Sequence, residues 1–456
     1  MSASGQTSRG QVKRSRWTAG LLVLILSGCP SSDISVDGRE EVVFWHFWGG
    51  EDGRVVDDIV LRFNASQSKY WVRSIAMPGN NLDLKLFLAV TGGDPPDLVN
   101  QDDPVIGDWA HRGTLMALDE IASATEFDEF RRWLLPAAFE LGSFDQRLYG
   151  VANGLDVRLL YYNHDLLADH GLEPPETVAD LDRLAETIGP KSPDDPADQF
   201  GFLPNPKLIW SWGIVFGGSF YDRRSSTVSL THPGVVSAME WMASYGERFG
   251  QSAIAFRAAD QSLPGKVFPL TANRYAAMVG GQWRIRDIRA YQAAQRSRGD
   301  AVTEFGVTAL PSSPDGPTEA GWINGNLFLV PRNSKNPRGA WEFMKFWIGF
   351  GGQEIEAARA CIAGGWIPVS PQVVETNEFQ RYLDEEPMMR KFVESSSSPN
   401  QRPRPNIRGA PLMDRELRAA AGMIMRRGGA PNIEEVLAEA ERRVNQNAGL
   451  TDGAAP

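Results

Sequence analysis

The apolar and polar positions of the chain open as a strand and helix repeat. Residues 41–48, E-V-V-F-W-H-F-W, predict a strand, and Gly49-Gly50-Glu51-Asp52 closes it before a helix whose apolar positions are Val55, Val56, Ile59, Val60 and Phe63. The acids of that first turn stand where the helix dipole favours negative charge. Residues 70–77 alternate like a second strand, Leu82, Leu86, Ala89 and Val90 mark a second helix ended by Gly92-Gly93, and residues 98–102 form a third strand running out into polar positions. A βαβαβ order predicts a parallel sheet covered by helices. Ligands of such sheets sit beyond the carboxyl ends of the strands, which places Trp48, Gln101 and Asp102 on one rim.

Residues 149–163, Y-G-V-A-N-G-L-D-V-R-L-L-Y-Y-N, predict a crossing into a second body. Gly150 and Gly154 permit backbone angles that suit a chain changing direction between rigid lobes. Val157, Leu159, Leu160, Tyr161 and Tyr162 then read as a buried strand. Asp156, between hinge and strand, either caps a turn or meets a ligand in an interlobe cleft.

Beyond the crossing, a helix begins at residues 163–165 and another after Pro174-Pro175-Glu176-Thr177, with Val178, Leu181, Leu184 and Ile188 as its buried stripe. A short buried strand at 276–279 runs into Gly280-Gly281-Gln282-Trp283, where a strand end faces a cleft. Residues 305–311 read as a strand returning to the first lobe, 321–331 as the next strand, 337–347 as a helix with an aromatic stripe, and 431–447 as a final amphipathic helix. The expected organisation is α/β: a first lobe of residues 41–150 and 302–349, a second of 151–301 and 350–447, a ligand cleft between them, and a tail over 448–456.

Composition sharpens the picture at the N-terminus. The 456 residues, 42% hydrophobic, suffice for full cores. Residues 1–28 carry Arg9, Lys13, Arg14 and Arg16, no acid, and an apolar run over 19–26 too short to span a bilayer, which is the order of a secretory signal. Its end, Leu26-Ser27-Gly28-Cys29, resembles the lipobox of bacterial lipoproteins, in which the signal is cut before a cysteine that is then lipidated. Residues 29–40 would be the tether. Removing the signal takes four of the 46 basic residues and none of the 57 acids, leaving 42 against 57, a net charge of −15. A surface that acidic argues against nucleic acid or anionic lipid as a partner. Acyl chains on Cys29 would instead hold the protein to a membrane. Cys361 is the one other cysteine, so neither an intrachain disulfide nor a cysteine metal cluster is expected.

The candidate chemistry is aromatic and polar. A ligand with hydroxyls needs acceptors and donors, and one with apolar CH faces lies well on flat rings. Of the 14 tryptophans, Trp48, Trp283, Trp322 and Trp366 sit in glycine-flanked stretches and read as a stacking set, whereas Trp341 and Trp347, at helical spacing, read as core. A glycosidase would need two carboxylates at a fixed separation, and no motif singles out such a pair. The five histidines, His46, His111, His164, His170 and His232, show no H-E-x-x-H, and there is no G-x-S-x-G. Tyr161 and Tyr162 would be the phenolates of a ferric site, but their apolar strand favours core packing. No cofactor and no metal are expected.

In this order the pieces resemble the extracellular solute-binding proteins of ABC transporters, in the sugar-binding branch that includes the maltose-binding protein. The resemblance rests on Tyr149-Gly150-Val151 through Tyr162-Asn163-His164-Asp165-Leu166-Leu167 with Pro175-Glu176-Thr177, on Gly281-Gln282-Trp283, on Phe305-Gly306-Val307 to Pro311, and on Pro331, Lys335 and Ala340-Trp341-Glu342-Phe343. It implies the two-lobed periplasmic-binding-protein fold of type II, closing on a sugar, without catalysis. It further implies delivery to a membrane permease, a monomer, and a lipid-anchored place in the bacterial cell envelope. Carried over by position, Asp156 matches a carboxylate that binds sugar hydroxyls and Trp283 a stacking aromatic. Gln101 and Asp102 lie in a contacting loop of the first lobe, Trp48 follows strand one where contacts also fall, and Asn205 and Lys207 lie near a contact of the second lobe. Ala152 and Val178 stand where the family commonly has Pro and an aromatic. The resemblance therefore points to a ligand class, with a polyol, glycerol phosphate or ferric ion as alternatives on the same fold.

Overall fold

A computed structural model describes residues 38–77, 82–261, 267–425 and 432–450. The signal segment, Cys29 and the end of the expected tail lie outside them. The described residues all fall in one compact unit.

The opening repeat folds as its periodicity predicts. Strand β1 (Glu40–His46) is followed by α1 (Gly50–Ser66), β2 (Tyr70–Ala76), α2 (Leu82–Gly92) and β3 (Leu98–Asp102). Strand β1 pairs in parallel with β2, Val42 opposite Val72, and with β3, Phe44 opposite Leu98. Helix α1 buries Val56, Ile59, Val60 and Phe63. The next helix that matters for stability is α3 (Ala124–Trp133), capped by the Ser123 hydroxyl, which accepts from the Glu126 N–H.

The crossing is one unbroken strand, β4 (Gly150–Asn163), of 14 residues. Its first half pairs antiparallel with β7 (Gly321–Leu329), which also pairs with β3. Its second half pairs antiparallel with β5 (Ala277–Gly281) and β6 (Phe305–Thr308). Among the described residues these strands form one sheet in the order β6-β4-β7-β3-β1-β2, with β5 also on β4 and β8 (Gln401–Arg402) on β7.

Three expectations change here. Gly150 and Gly154 do not turn the chain. They are glycine because of close approach: a Cβ on Gly150 would lie 2.5 Å from Leu329 Cδ2, and one on Gly154 would lie 2.5 Å from Trp366 Cβ. Strand β6, expected to return to the first lobe, lies on the second half of β4, with Phe305 opposite Asn163. The helix α6 (Glu354–Gly364), placed by the sequence boundaries in the second lobe, packs on α1 and on α5 (Pro337–Ile348). Its small buried face of Ala357, Ala358, Ala360 and Cys361 permits that approach, and Glu356 pairs with Arg62 of α1.

Aromatic residues dominate both cores. In the first lobe Phe44, Phe328, Phe343 and Trp347 pack edge to face. In the second, Trp212, Trp241 and Tyr245 gather around Phe202. Cys361 is buried, and burial pushes its thiol up to about 12, so it is inert. No helix among the described residues is long and apolar enough to cross a membrane.

Candidate functional site

Where β5 ends and α4 (Arg284–Arg298) begins, the chain places Gln282 and Trp283 against the middle of β4. The Gln282 amide donates to Asp156 Oδ1 at 2.6 Å and to the Leu155 carbonyl at 3.1 Å, and its oxygen accepts from the Val157 N–H at 3.4 Å. Asp156 thus sits mid-strand, opposite Asn324 of β7 and not at a turn, partly exposed and oriented by a buried amide. A carboxylate so held offers an acceptor to a ligand hydroxyl without having to be reoriented.

Trp283 is 37% exposed, whereas Trp48, Trp322 and Trp366 are buried. Its ring lies over Gly281, where a Cβ would come within 2.2 Å of Cζ3. Arg158, two residues beyond Asp156 on β4, sets its guanidinium 4.5 Å from the Trp283 ring centre and 4.9 Å from that of Trp322. Arg404 lies 4.7 Å from the Trp322 ring and pairs with Asp414 of α7 (Ala410–Ile424) at 2.9 Å. Asp414 also accepts from Trp210 Nε1 at 2.7 Å.

The structure divides the four tryptophans of the expected stacking set. Trp283 is open, whereas Trp322 is buried beneath two guanidinium groups. Trp48 and Trp366 are buried beside core Trp347, with ring centres 6.0 and 5.6 Å from it. Gly154 and Gly364 leave room for the Trp366 ring. Gln101 and Asp102 end β3 opposite Leu327 and Asn326, Gln101 partly buried and Asp102 exposed. Asn205 and Lys207 are exposed, and the Asn205 side chain accepts from the Lys207 N–H at 3.0 Å to cap the short turn Pro206–Leu208. Sequence reasoning passed over Gln282 and Arg158. Strand alternation carried a signal for the latter, since Arg158 and Asp156 share a face of β4.

Arg286 in the first turn of α4 pairs with Asp52 in the first turn of α1 at 3.1 Å, tying the helix after β5 to the helix after β1. Elsewhere, a cavity of about 530 Å³ bordered by Pro136, Glu140, Phe220, Arg223 and Ser398 contains none of the expected ligand residues. Tyr161 is buried and donates to the Gly281 carbonyl at 3.0 Å, and burial raises its pKa well above the usual phenol value, both of which suit a core phenol and not a metal ligand. Among the described residues no cluster of His, Cys, Asp and Glu could hold a metal ion.

Two half-sheets share strand β4, and where they meet the chain carries an exposed indole and a carboxylate oriented by a buried amide. A family model described as bacterial extracellular solute-binding protein matches residues 58–385, and the chain belongs to that family, one of binding proteins and not of enzymes. It is 21% identical over 277 residues to the maltooligosaccharide ABC transporter solute-binding lipoprotein of Streptococcus pneumoniae, covering 59% of this chain and 60% of that protein. It is 23% identical over 352 residues to the maltotriose-binding protein of Pyrococcus abyssi, covering 75% of this chain and 69% of that one. Among solved structures, the sugar-binding protein MalE of Xanthomonas citri superposes with a TM-score of 0.72 at 18% identity, over 90% of this chain and 97% of that one. The cyclic alpha-maltosyl-1,6-maltose binding protein of Arthrobacter globiformis gives 0.69 at 22% identity, over 90% and 99%. These likenesses establish the two-lobed maltose-binding-protein fold.

Proposed function

We propose that this protein captures a sugar or oligosaccharide between its lobes and hands it to the membrane permease of an ABC importer. The observation that carries the reading is Trp283, a half-open indole laid on Gly281 beside the Gln282-oriented carboxylate of Asp156. An indole face and a fixed acceptor at one place match the CH face and hydroxyls of a pyranose. Binding without chemistry suffices for this role. A sugar touching both lobes favours the closed arrangement by its differential affinity, and the closed form is what the permease meets. The protein acts as a monomer on the outer side of a membrane, anchored by acyl chains on Cys29. Trp48, Trp366, Gln101, Asp102, Asn205 and Lys207 are assigned as further contacts, the two tryptophans supporting the pocket wall.

A thermal-shift screen of the purified protein against mono-, di- and oligosaccharides, polyols, glycerol phosphate, amino acids and ferric salts tests the class. A ligand that binds only the folded state raises the melting temperature by mass action. A saccharide response fixes the class, and a response to iron or amino acids alone refutes the sugar reading. Once a saccharide is found, Trp283→Ala and Asp156→Asn are each expected to weaken binding by about 1–3 kcal/mol in calorimetric titration. Neither is expected to move the melting temperature of the unliganded protein much, because Trp283 is half-exposed and Asn retains the shape of Asp. Wild-type affinity in either variant removes that residue from the site.

A further inference from the structure

We infer that Arg158 is a positioning residue of the ligand site, clamping the Trp283 platform through a row of alternating rings and guanidinium groups that ends on Asp414. The inference rests on the reading of Trp283 as the ligand platform.

The row runs Trp283, Arg158, Trp322, Arg404, with ring-to-guanidinium distances of 4.5, 4.9 and 4.7 Å, and closes on the Asp414 carboxylate 2.9 Å from Arg404. It draws on four separate parts of the chain: the start of α4, the shared strand β4, the first residues of β7, and the segment leading from β8 into α7. Asp414 is held from two further directions, by Trp210 Nε1 at 2.7 Å and Arg418 Nε at 2.9 Å, so the end of the row is fixed. Arg404 and Trp322 are both buried, at 6% and 5% exposure, which leaves Trp283 as the one ring of the row open to a ligand.

Arginine suits this place for a physical reason. A planar guanidinium is weakly hydrated and stacks on aromatic faces, whereas an ammonium is a compact, strongly hydrated point charge. Each guanidinium here lies over indole, the ring that attracts cations best. An indole that keeps one orientation before the sugar arrives does not lose that freedom on binding, so the clamp raises affinity without touching the ligand. Arg158 interrupts the apolar run from Val157 to Tyr162, and it shares its strand face with Asp156. One side chain thereby touches the ring and shares the strand face of the carboxylate that Gln282 orients.

Fluorotryptophan labelling with fluorine NMR, the Trp283 resonance being assigned by its loss in Trp283→Phe, reads the clamp without any ligand. Titration with maltotriose and mannotriose reads its effect on binding. In Arg158→Met the Trp283 resonance is expected to shift and broaden while that of Trp71, on the edge strand β2 three strands beyond β7, stays in place, and affinity for whichever saccharide the wild type binds falls about tenfold. Arg158→Lys, which keeps the charge and preserves folding if Met does not, is expected to reproduce the Trp283 change. An unchanged Trp283 resonance in both variants overturns the clamp. A changed resonance in a protein that binds no saccharide upholds the clamp and overturns the sugar reading instead.

Discussion

Trp347→Ala is expected to destabilise the protein by about 3–5 kcal/mol, the cost of removing a large aromatic side chain from a filled core. Trp347 is buried on α5, with ring centres of Phe328 at 5.1 Å, Trp366 at 5.6 Å, Phe343 at 5.9 Å, Trp48 at 6.0 Å and Phe44 at 6.3 Å. Edge-to-face and stacked pairs each add to the area term, and these neighbouring rings cannot all relax into the space. The indole N–H of Trp347 makes no hydrogen bond within the described residues, so the loss is one of packing, and Trp347→Phe is expected to be far milder. Because Trp48 and Trp366 lean on this ring, ligand affinity should fall along with stability. Trp341→Ala separates the two effects. Trp341 packs on Phe130 at 4.9 Å, away from Trp48 and Trp366, and its loss should lower stability and spare affinity. Urea denaturation followed by circular dichroism, beside calorimetric titration, checks both. An unchanged midpoint for Trp347→Ala would contradict the packing argument.

The second large effect is a loss of stability in acid centred on Glu126. Burial pushes this carboxyl up, but hydrogen bonds from Arg338, Lys345 and Trp341 outweigh burial and hold it down to about 2, against its usual 4.5. The donors are close, Arg338 Nη1 and Lys345 Nζ at 2.7 Å and Trp341 Nε1 at 2.9 Å, and they join α3 to α5. A carboxyl whose pKa is depressed by folding contributes stability that is fully present above the unfolded value. That contribution drains away as pH falls from about 4.5 to about 2. At 1.36 kcal/mol per pKa unit, and allowing for partial exposure, it amounts to about 2–3 kcal/mol. Denaturation midpoints should therefore fall steeply across that window. Glu126→Gln should be less stable than the wild type at pH 7, and the two should converge toward pH 2. Parallel pH profiles for the two proteins would show that Glu126 does not carry the effect.

The fold was legible wherever periodicity is local. Val56, Ile59, Val60 and Phe63 fell on the buried face of α1 as their spacing required, and Trp341 and Trp347 went to the core. The turn Gly281-Gln282-Trp283 was legible as a place, because a short apolar strand that ends in glycine leaves its next large ring outside. Partners were not legible. Spacing tells which face a residue occupies and is silent about what covers it, so Trp48 and Trp366, flanked by glycine like Trp283, gave no sign that Trp347 lies against them. Gly154 is the clearest case: its absent side chain serves Trp366, remote in sequence, and not the backbone at Gly154 itself. Glu126 stands 212 residues from Arg338, and only the assembled lobe brings them together.

Strand β4 bears on how the molecule comes apart. Its 14 residues serve two half-sheets at once, tied to β7 along the first half and to β5 and β6 along the second. Losing one half-sheet strips partners from a strand the other still needs, so neither lobe has an edge at which to part from its neighbour. The two lobes should therefore melt as a single cooperative unit, with heating giving one transition where two independent bodies would give two.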